Sequence, residues 1–149
     1  MSLLPWILAA CALLAPKGLD VGPIARAIDE AVRLEEPLFT GEDGRRRTAA
    51  LVVAVAARES TLRLDAVGDQ GRSVCAMQIH LGKKSLLEDH VECIREGIRR
   101  LRVSVQTCKE FPVAVYAEGP AGCQSARAQA ISRDRMALAK RLVAEVKPR

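Results

Sequence analysis

Glu59 is the first residue whose type and position suggest chemistry. Residues 49–57 read Ala-Ala-Leu-Val-Val-Ala-Val-Ala-Ala, and this apolar run stops abruptly at Arg58-Glu59-Ser60. Burial disfavours a carboxylate and raises its pKa. A helix ending at this point would add the negative end of its dipole, which acts in the same direction. A carboxyl that keeps its proton near neutral pH is what a general acid needs. The plainer alternative is a surface glutamate just past a helix end, paired with Arg58 or Arg63. Asp69, in Gly68-Asp69-Gln70-Gly71, is the one well-placed second carboxylate. Across a cleft it could serve as a base or nucleophile, and otherwise it holds a turn through its own backbone. No C-x-x-C pair occurs and the two histidines lie apart from any ligand spacing, so neither a metal nor a cofactor is expected.

The residues around Glu59 sharpen this reading. Arg58-Glu59-Ser60 is followed by Gly68-Asp69-Gln70-Gly71, then Ser73, Met77-Gln78-Ile79, and finally Tyr116 with Gly119-Pro120. In order and spacing this resembles the soluble lytic transglycosylases of the lysozyme-like superfamily. Their pattern is a Glu-Ser pair ending a buried helix, a Gly-Leu-Met-Gln-Ile turn and an Ala-Tyr-Asn-Ala-Gly-Pro-Gly segment. The family helix Asn-Ile-x-x-Gly-x-x-x-Leu lines up with Cys93-Ile94-x-x-Gly97-x-x-x-Leu101. The Arg-Glu-Ser and Gly-Asp-x-Gly pieces also look like goose-type lysozyme, a relative of the same fold. The likeness runs from about residue 47 to 122.

What the resemblance implies is a peptidoglycan-cleaving enzyme that needs no cofactor. Glu59 would be its single acid/base. It would protonate the oxygen between N-acetylmuramic acid and N-acetylglucosamine, then take the proton of the muramic C6 hydroxyl as a 1,6-anhydro ring closes. Ser60, Met77 and Gln78 would line the cleft and orient the sugars or Glu59. Tyr116 would stand near Glu59 and support developing positive charge or the acetamido group. Asp69 aligns with the goose-type aspartate that helps to position water, which keeps a hydrolytic muramidase open. The chain departs from the pattern at Cys75 and Ala76, where the family has Gly and Leu, and at Ala117, where it has Asn. Glu118 is either an added cleft carboxylate or a loop charge, and His80 either contacts sugar or stands in solvent at a turn. These departures favour a divergent branch, with a non-catalytic wall-binding protein as the remaining alternative.

The elements that would position these residues are helical. Residues 23–36 carry Ile24, Ala27, Ile28, Ala31, Val32 and Leu34 at helical spacing behind Pro23. The run at 47–58 is apolar on every side, the mark of a central buried helix, and its alanines favour helix over strand. Residues 62–76 read as irregular, 85–108 as one long amphipathic helix and 125–146 as the last helix. The expected architecture is all-α and lysozyme-like, with an irregular loop segment after the helix that ends at Glu59.

Composition sets the outer bounds. The chain has 149 residues, 49% hydrophobic and 28% charged, an ordinary globular balance for one domain. Aromatics are only 3%, which disfavours a reader of single-stranded nucleic acid that relies on stacking platforms. The formal net charge of +5 suits an anionic polymer such as the wall, or is a solvated surplus of arginine. Residues 3–15 are uncharged and apolar, too short to span a bilayer, and fit a signal-peptide core with Ala10-Cys11-Ala12 as an A-x-A-like site. Residues 1–18 are therefore read as a signal peptide or N-terminal apolar segment, and 19–149 as the domain. Leu8-Ala9-Ala10-Cys11 also resembles a lipoprotein box, and membrane association is expected only through this segment or a lipidated Cys11. The alternative is a buried N-terminal helix. The remaining cysteines, Cys75, Cys93, Cys108 and Cys123, form an even set that suggests two disulfides in an exported, monomeric domain. On one continuous helix Cys93 and Cys108 would lie about 22 Å apart, too far to pair. Cys75 and Cys123 flank the suspected site and are the expected bridge.

Overall fold

The computed structural model describes residues 2–147. It is mostly helical, with one small sheet. Six α-helices are present among the described residues: α1 (Leu4–Leu14), α2 (Gly22–Leu34), α3 (Gly44–Ser60), α4 (His90–Thr107), α5 (Ala114–Glu118) and α6 (Ala126–Glu145). The segment expected to be irregular instead holds a three-stranded antiparallel sheet of β1 (Val67–Gly68), β2 (Ser73–Val74) and β3 (Ile79–His80), in the order β1-β2-β3. The expectation of a helical architecture holds in the main, and the small sheet is the departure from it. Strands of two residues are too short for alternation to show in a sequence.

Helix α3 is the centre of the molecule. Every residue from Ala49 to Ala56 is inaccessible to solvent. Helix α6 packs most extensively along it, and α1 and α2 cover other sides. A helix enclosed by helices cannot show an apolar stripe, which explains its uniform run of alanine and valine. On α2, Ile24, Ala27, Ile28, Ala31 and Val32 are buried as their spacing requires, while Leu34 is exposed.

The long helix expected over 85–108 is shorter. Lys84–Leu87 forms a separate 3-10 turn, and α4 begins at His90 because the Asp89 carboxylate accepts a hydrogen bond from the Glu92 N–H. Such a cap satisfies an amide that has no partner inside the helix. Ser125 starts α6 in the same way, accepting from the Ala128 N–H.

The disulfides join Cys75 to Cys93 and Cys108 to Cys123. The expected Cys75–Cys123 bridge is therefore wrong. Helix α4 is continuous, so Cys93 and Cys108 do sit at opposite ends and do not pair. Each instead takes the partner near its own end, the turn before β3 for Cys93 and the segment after α5 for Cys108. Two disulfides fit an oxidising, exported compartment. Helix α1 packs against α2 and α3, with Trp6, Ile7, Ala10 and Cys11 buried. The Asp29 carboxylate accepts from the Leu3 N–H and the Ser2 hydroxyl, and the Trp6 indole N–H donates to the Val146 carbonyl at 3.0 Å. No helix among the described residues is long and apolar enough to cross a membrane.

Candidate functional site

Among the described residues, seven non-glycine positions have positive φ, and all lie between 61 and 81. The first two, Thr61 and Leu62, end α3 by turning the chain through the left-handed region. Their N–H groups donate back to Ala57 and Ala56 carbonyls. This tight exit leaves Glu59 in the last turn of α3, where a buried helix reaches a cleft. Backbone conformations of this kind persist only where the surroundings enforce them, and they cluster at functional sites.

The cleft has a volume of about 700 Å³. Its walls come from the end of α3, the small sheet, α4 and the segment from Val115 to Pro120. A size of 300–1,000 Å³ is usual for ligand sites. Of the residues expected from sequence, the structure brings Glu59, Asp69, Gln78 and Tyr116 together on this cleft. His80, Arg100, Ala117 and Glu118 also line it.

Glu59 is partly enclosed, with 28% of its side chain exposed. Burial pushes its carboxyl above the usual glutamate value. The Arg135 guanidinium, with Nη2 3.6 Å from Oε1, opposes this, while the negative charge of Asp69 adds to it. Arg127 opposes it more weakly. The net result is a carboxyl that holds its proton more firmly than one in water.

Asp69 has a different environment. Its side chain is 63% exposed, and Oδ2 accepts from the Ser73 hydroxyl at 2.7 Å. His80 Nδ1 lies 3.4 Å from that hydroxyl and 3.8 Å from Asp69 Oδ2. Sheet register creates this group: Ser73 pairs with Gly68 on one side and with His80 on the other. Asp69 also holds its turn through its backbone, its carbonyl accepting from the Arg72 N–H and Nε, and its side chain adds a brace through Ser73. Two carboxylates in one cleft, one partly enclosed and one wet, can divide acid and base roles.

Tyr116 is the brace of the site. Its hydroxyl donates to the Met77 carbonyl at 2.5 Å, and its N–H donates to the buried Ser104 hydroxyl at 3.0 Å. Burial, and then the charge of Glu59, push its hydroxyl well above the usual tyrosine value, so it stays a donor. Gln78, itself at positive φ, donates from Nε2 to the carbonyls of Ala66 and Cys75. It thus ties the turn ahead of β3 to the chain ahead of β1.

Two expected site residues do not face the cleft. Ser60 is buried, and its hydroxyl donates to the Ala56 carbonyl one turn earlier. Met77 is fully buried and packs on α4 at Gly97, where a Cβ would lie 2.6 Å from its Cε. Both support the site rather than line it. Glu118 has its carboxyl held below the usual range by hydrogen bonds from Ser125 and then Arg127, which suits a fixed charge and not a proton donor.

Sequence reasoning missed Arg135. It lies 76 residues after Glu59 on α6, in Asp134-Arg135, opposite Arg58-Glu59. Arg58 Nε is 3.0 Å from Asp134 Oδ2 across the same helix pair. Two dipeptides of complementary charge, Arg-Glu and Asp-Arg, were the available signal, but nothing in the sequence aligned α6 with the end of α3. Among the described residues no group of three or more His, Cys, Asp or Glu could hold a metal. No protein family, no curated protein and no solved structure matches this chain.

Proposed function

We propose that the cleft cleaves peptidoglycan glycan strands as a lytic transglycosylase, on a lysozyme-like fold, with Glu59 as its single acid/base. The observation that carries this is the partly enclosed Glu59 carboxyl, pushed up by burial, on the wall of a cleft open to a large substrate. The order of parts supports it: a buried helix ending in that carboxyl, a braced turn at Met77-Gln78, and a tyrosine donating into the turn. These are the parts that the motif resemblance implies.

The reaction follows from one carboxyl used twice. Protonated Glu59 gives its proton to the glycosidic oxygen as the bond from the muramic C1 breaks. The C6 hydroxyl of the same sugar attacks C1, and its proton passes to the Glu59 carboxylate. The residue ends as it began, and no water is consumed. Because the substrate supplies its own nucleophile, a second carboxylate is not required. The two disulfides accord with action outside the cytoplasm, in the periplasm, cell envelope or extracellular space, by a monomer acting on glycan and not nucleic acid.

Asp69 favours a second reading. An exposed carboxylate braced by Ser73 beside His80 could activate water, making the protein a hydrolytic muramidase. Mass spectrometry of products from purified peptidoglycan, for the wild type beside Glu59→Gln, decides between them. Products ending in 1,6-anhydromuramic acid, lost in Glu59→Gln, are expected. Reducing-end products, heavier by one water, would replace the transglycosylase with the hydrolase. Binding without any product would leave a wall-binding protein.

A further inference from the structure

Arg135 is largely enclosed for an arginine. Only 15% of its side chain is exposed. It sits on α6 against the last turn of α3, and its Nη1 donates to Asp134 Oδ2 at 2.8 Å. The same Asp134 oxygen accepts from Arg58 Nε at 3.0 Å, which anchors the outer end of the group. Nη2 faces Glu59 Oε1 at 3.6 Å, longer than a good hydrogen bond. Nε is buried and has no hydrogen-bond partner.

The last two facts belong together. In a guanidinium the Nε–H and one Nη2–H lie on the same edge and point the same way, forming a fork that matches a carboxylate. Nη2 of that edge already faces Glu59. A buried donor without a partner is costly. The edge is therefore built for an acceptor with two oxygens and is loosely engaged at present.

Resting on the transglycosylase reading, we propose that Arg135 is a positioning residue for Glu59 whose Nε/Nη2 edge closes bidentately on the carboxylate once the proton has been given to the glycosidic oxygen. While Glu59 is protonated, one of its oxygens carries hydrogen and is a weak acceptor, so the fork is held only loosely. When the glycosidic bond breaks, both oxygens become strong, charged acceptors and the fork closes. The buried Nε–H gains its partner at the moment when negative charge is left in an enclosed place. When the C6 hydroxyl returns its proton, the fork opens again. Enclosure alone would keep Glu59 protonated but make its conjugate base costly to form. Arg135 makes the second half of the cycle accessible.

Other charges face Glu59 and must be separated from this effect. Arg127 lies on α6, Asp69 behind β1, and Tyr116 on α5, with its hydroxyl kept protonated. His80, Arg100 and Glu118 complete the charged walls of the cleft. Arg127 is the natural control, because it is also cationic and felt by Glu59 but is 77% exposed and bound to Glu118.

The test follows the Glu59 carboxyl directly, by carbon-13 NMR titration of the full chain, with its signal identified by its absence in Glu59→Gln. Arg135→Met is expected to move the Glu59 midpoint upward by about one pH unit, and Arg127→Met by much less. The basic limb of kcat/KM on peptidoglycan should move with it, and kcat should fall by about 10²-fold because an aimed charge is lost. Arg135→Lys keeps a charge but not the fork, so it should restore much of the midpoint and little of the rate. Should Arg135→Met fail to fold, Arg135→Lys tests the fork by itself: kcat should fall although the midpoint stays near that of the wild type, and a wild-type kcat would overturn the proposal. An unchanged midpoint in Arg135→Met, or an equal movement in Arg127→Met, would overturn the proposal. A shifted midpoint in a protein that releases no glycan product would instead overturn the transglycosylase reading and leave the clamp standing.

Discussion

At the scale of single residues the central fact is a conflict. Glu59 would be comfortable in water, and the fold holds it where burial favours the protonated form. Such a group costs stability when it ionises. A carboxyl whose folded value lies above its ordinary one, 4.5 for glutamate, contributes fully below that value. It loses the contribution as the pH rises through the folded value. Glutamine resembles the neutral acid and cannot lose a proton. Glu59→Gln is therefore expected to melt above the wild type at pH 7, by about 2 °C or more, with the gap closing near pH 3.5. Calorimetry at the two pH values measures it, and a variant less stable than the wild type at pH 7 would refute the burial argument. Glu118 shows the opposite case: an exposed carboxylate held ionised by Ser125 and Arg127.

At the scale of elements, the site is a turn held from three sides. Gln78 stitches it to the chain before β1, Tyr116 donates to its Met77 carbonyl, and Cys75–Cys93 bonds it to α4. Gly97 is the point of closest approach between that turn and α4. A Cβ there would stand 2.6 Å from Met77 Cε and 2.8 Å from its Cγ. Alanine would improve the helix locally by about 1 kcal/mol, but overpacking costs about 1–3 kcal/mol. Gly97→Ala is therefore expected to lower the urea midpoint despite its better helix propensity. A raised midpoint would show that Met77 has room to move. Glycine within a helix reads as a flaw in the sequence, and the reason for it here is the side chain of a residue 20 positions earlier.

The whole molecule is closed by long-range ties. The Trp6 indole N–H donates to the Val146 carbonyl, and Asp29 accepts from the Leu3 N–H ahead of α1. The Glu35 carboxylate, after α2, holds Arg95 at 2.9 Å and Arg99 at 3.3 Å on α4. Arg99 and Arg100 also pair with Glu96, and Arg102 donates to the Glu36 carbonyl. These arginines of α4 are thus engaged within the chain, and the net charge of +5 is not a free basic stripe along that helix. The disulfides span 18 and 15 residues. Loop-closure entropy makes each worth about 3 kcal/mol. Replacing either pair by alanine should cost about that much in urea unfolding, and replacing both about twice as much, since the pairs share no partner. Removing Cys75–Cys93 should in addition slow glycan cleavage, because it frees the turn beside Glu59. Equal stability of the oxidised and reduced wild type would contradict this ledger.

Much of this was legible without coordinates. The uniform apolar run of α3 marks a central helix because no other position tolerates apolar residues on all sides. Its abrupt end marks Glu59, since a charge bordering such a run must lie where the core meets solvent. Helix length alone excludes a Cys93–Cys108 bridge. What remained hidden depends on distances across the chain. The three short strands have no periodicity to read, and the disulfide partners depend on which turn each end of α4 meets. Ser60 and Met77 occupy motif positions, yet face inward, because orientation about a helix end or turn is set by packing. Arg135 reaches Glu59 only because α6 lies along α3. Sequence determines which residues prefer to be buried and where a helix must stop; only the tertiary structure decides which distant charge stands beside the one that is stranded there.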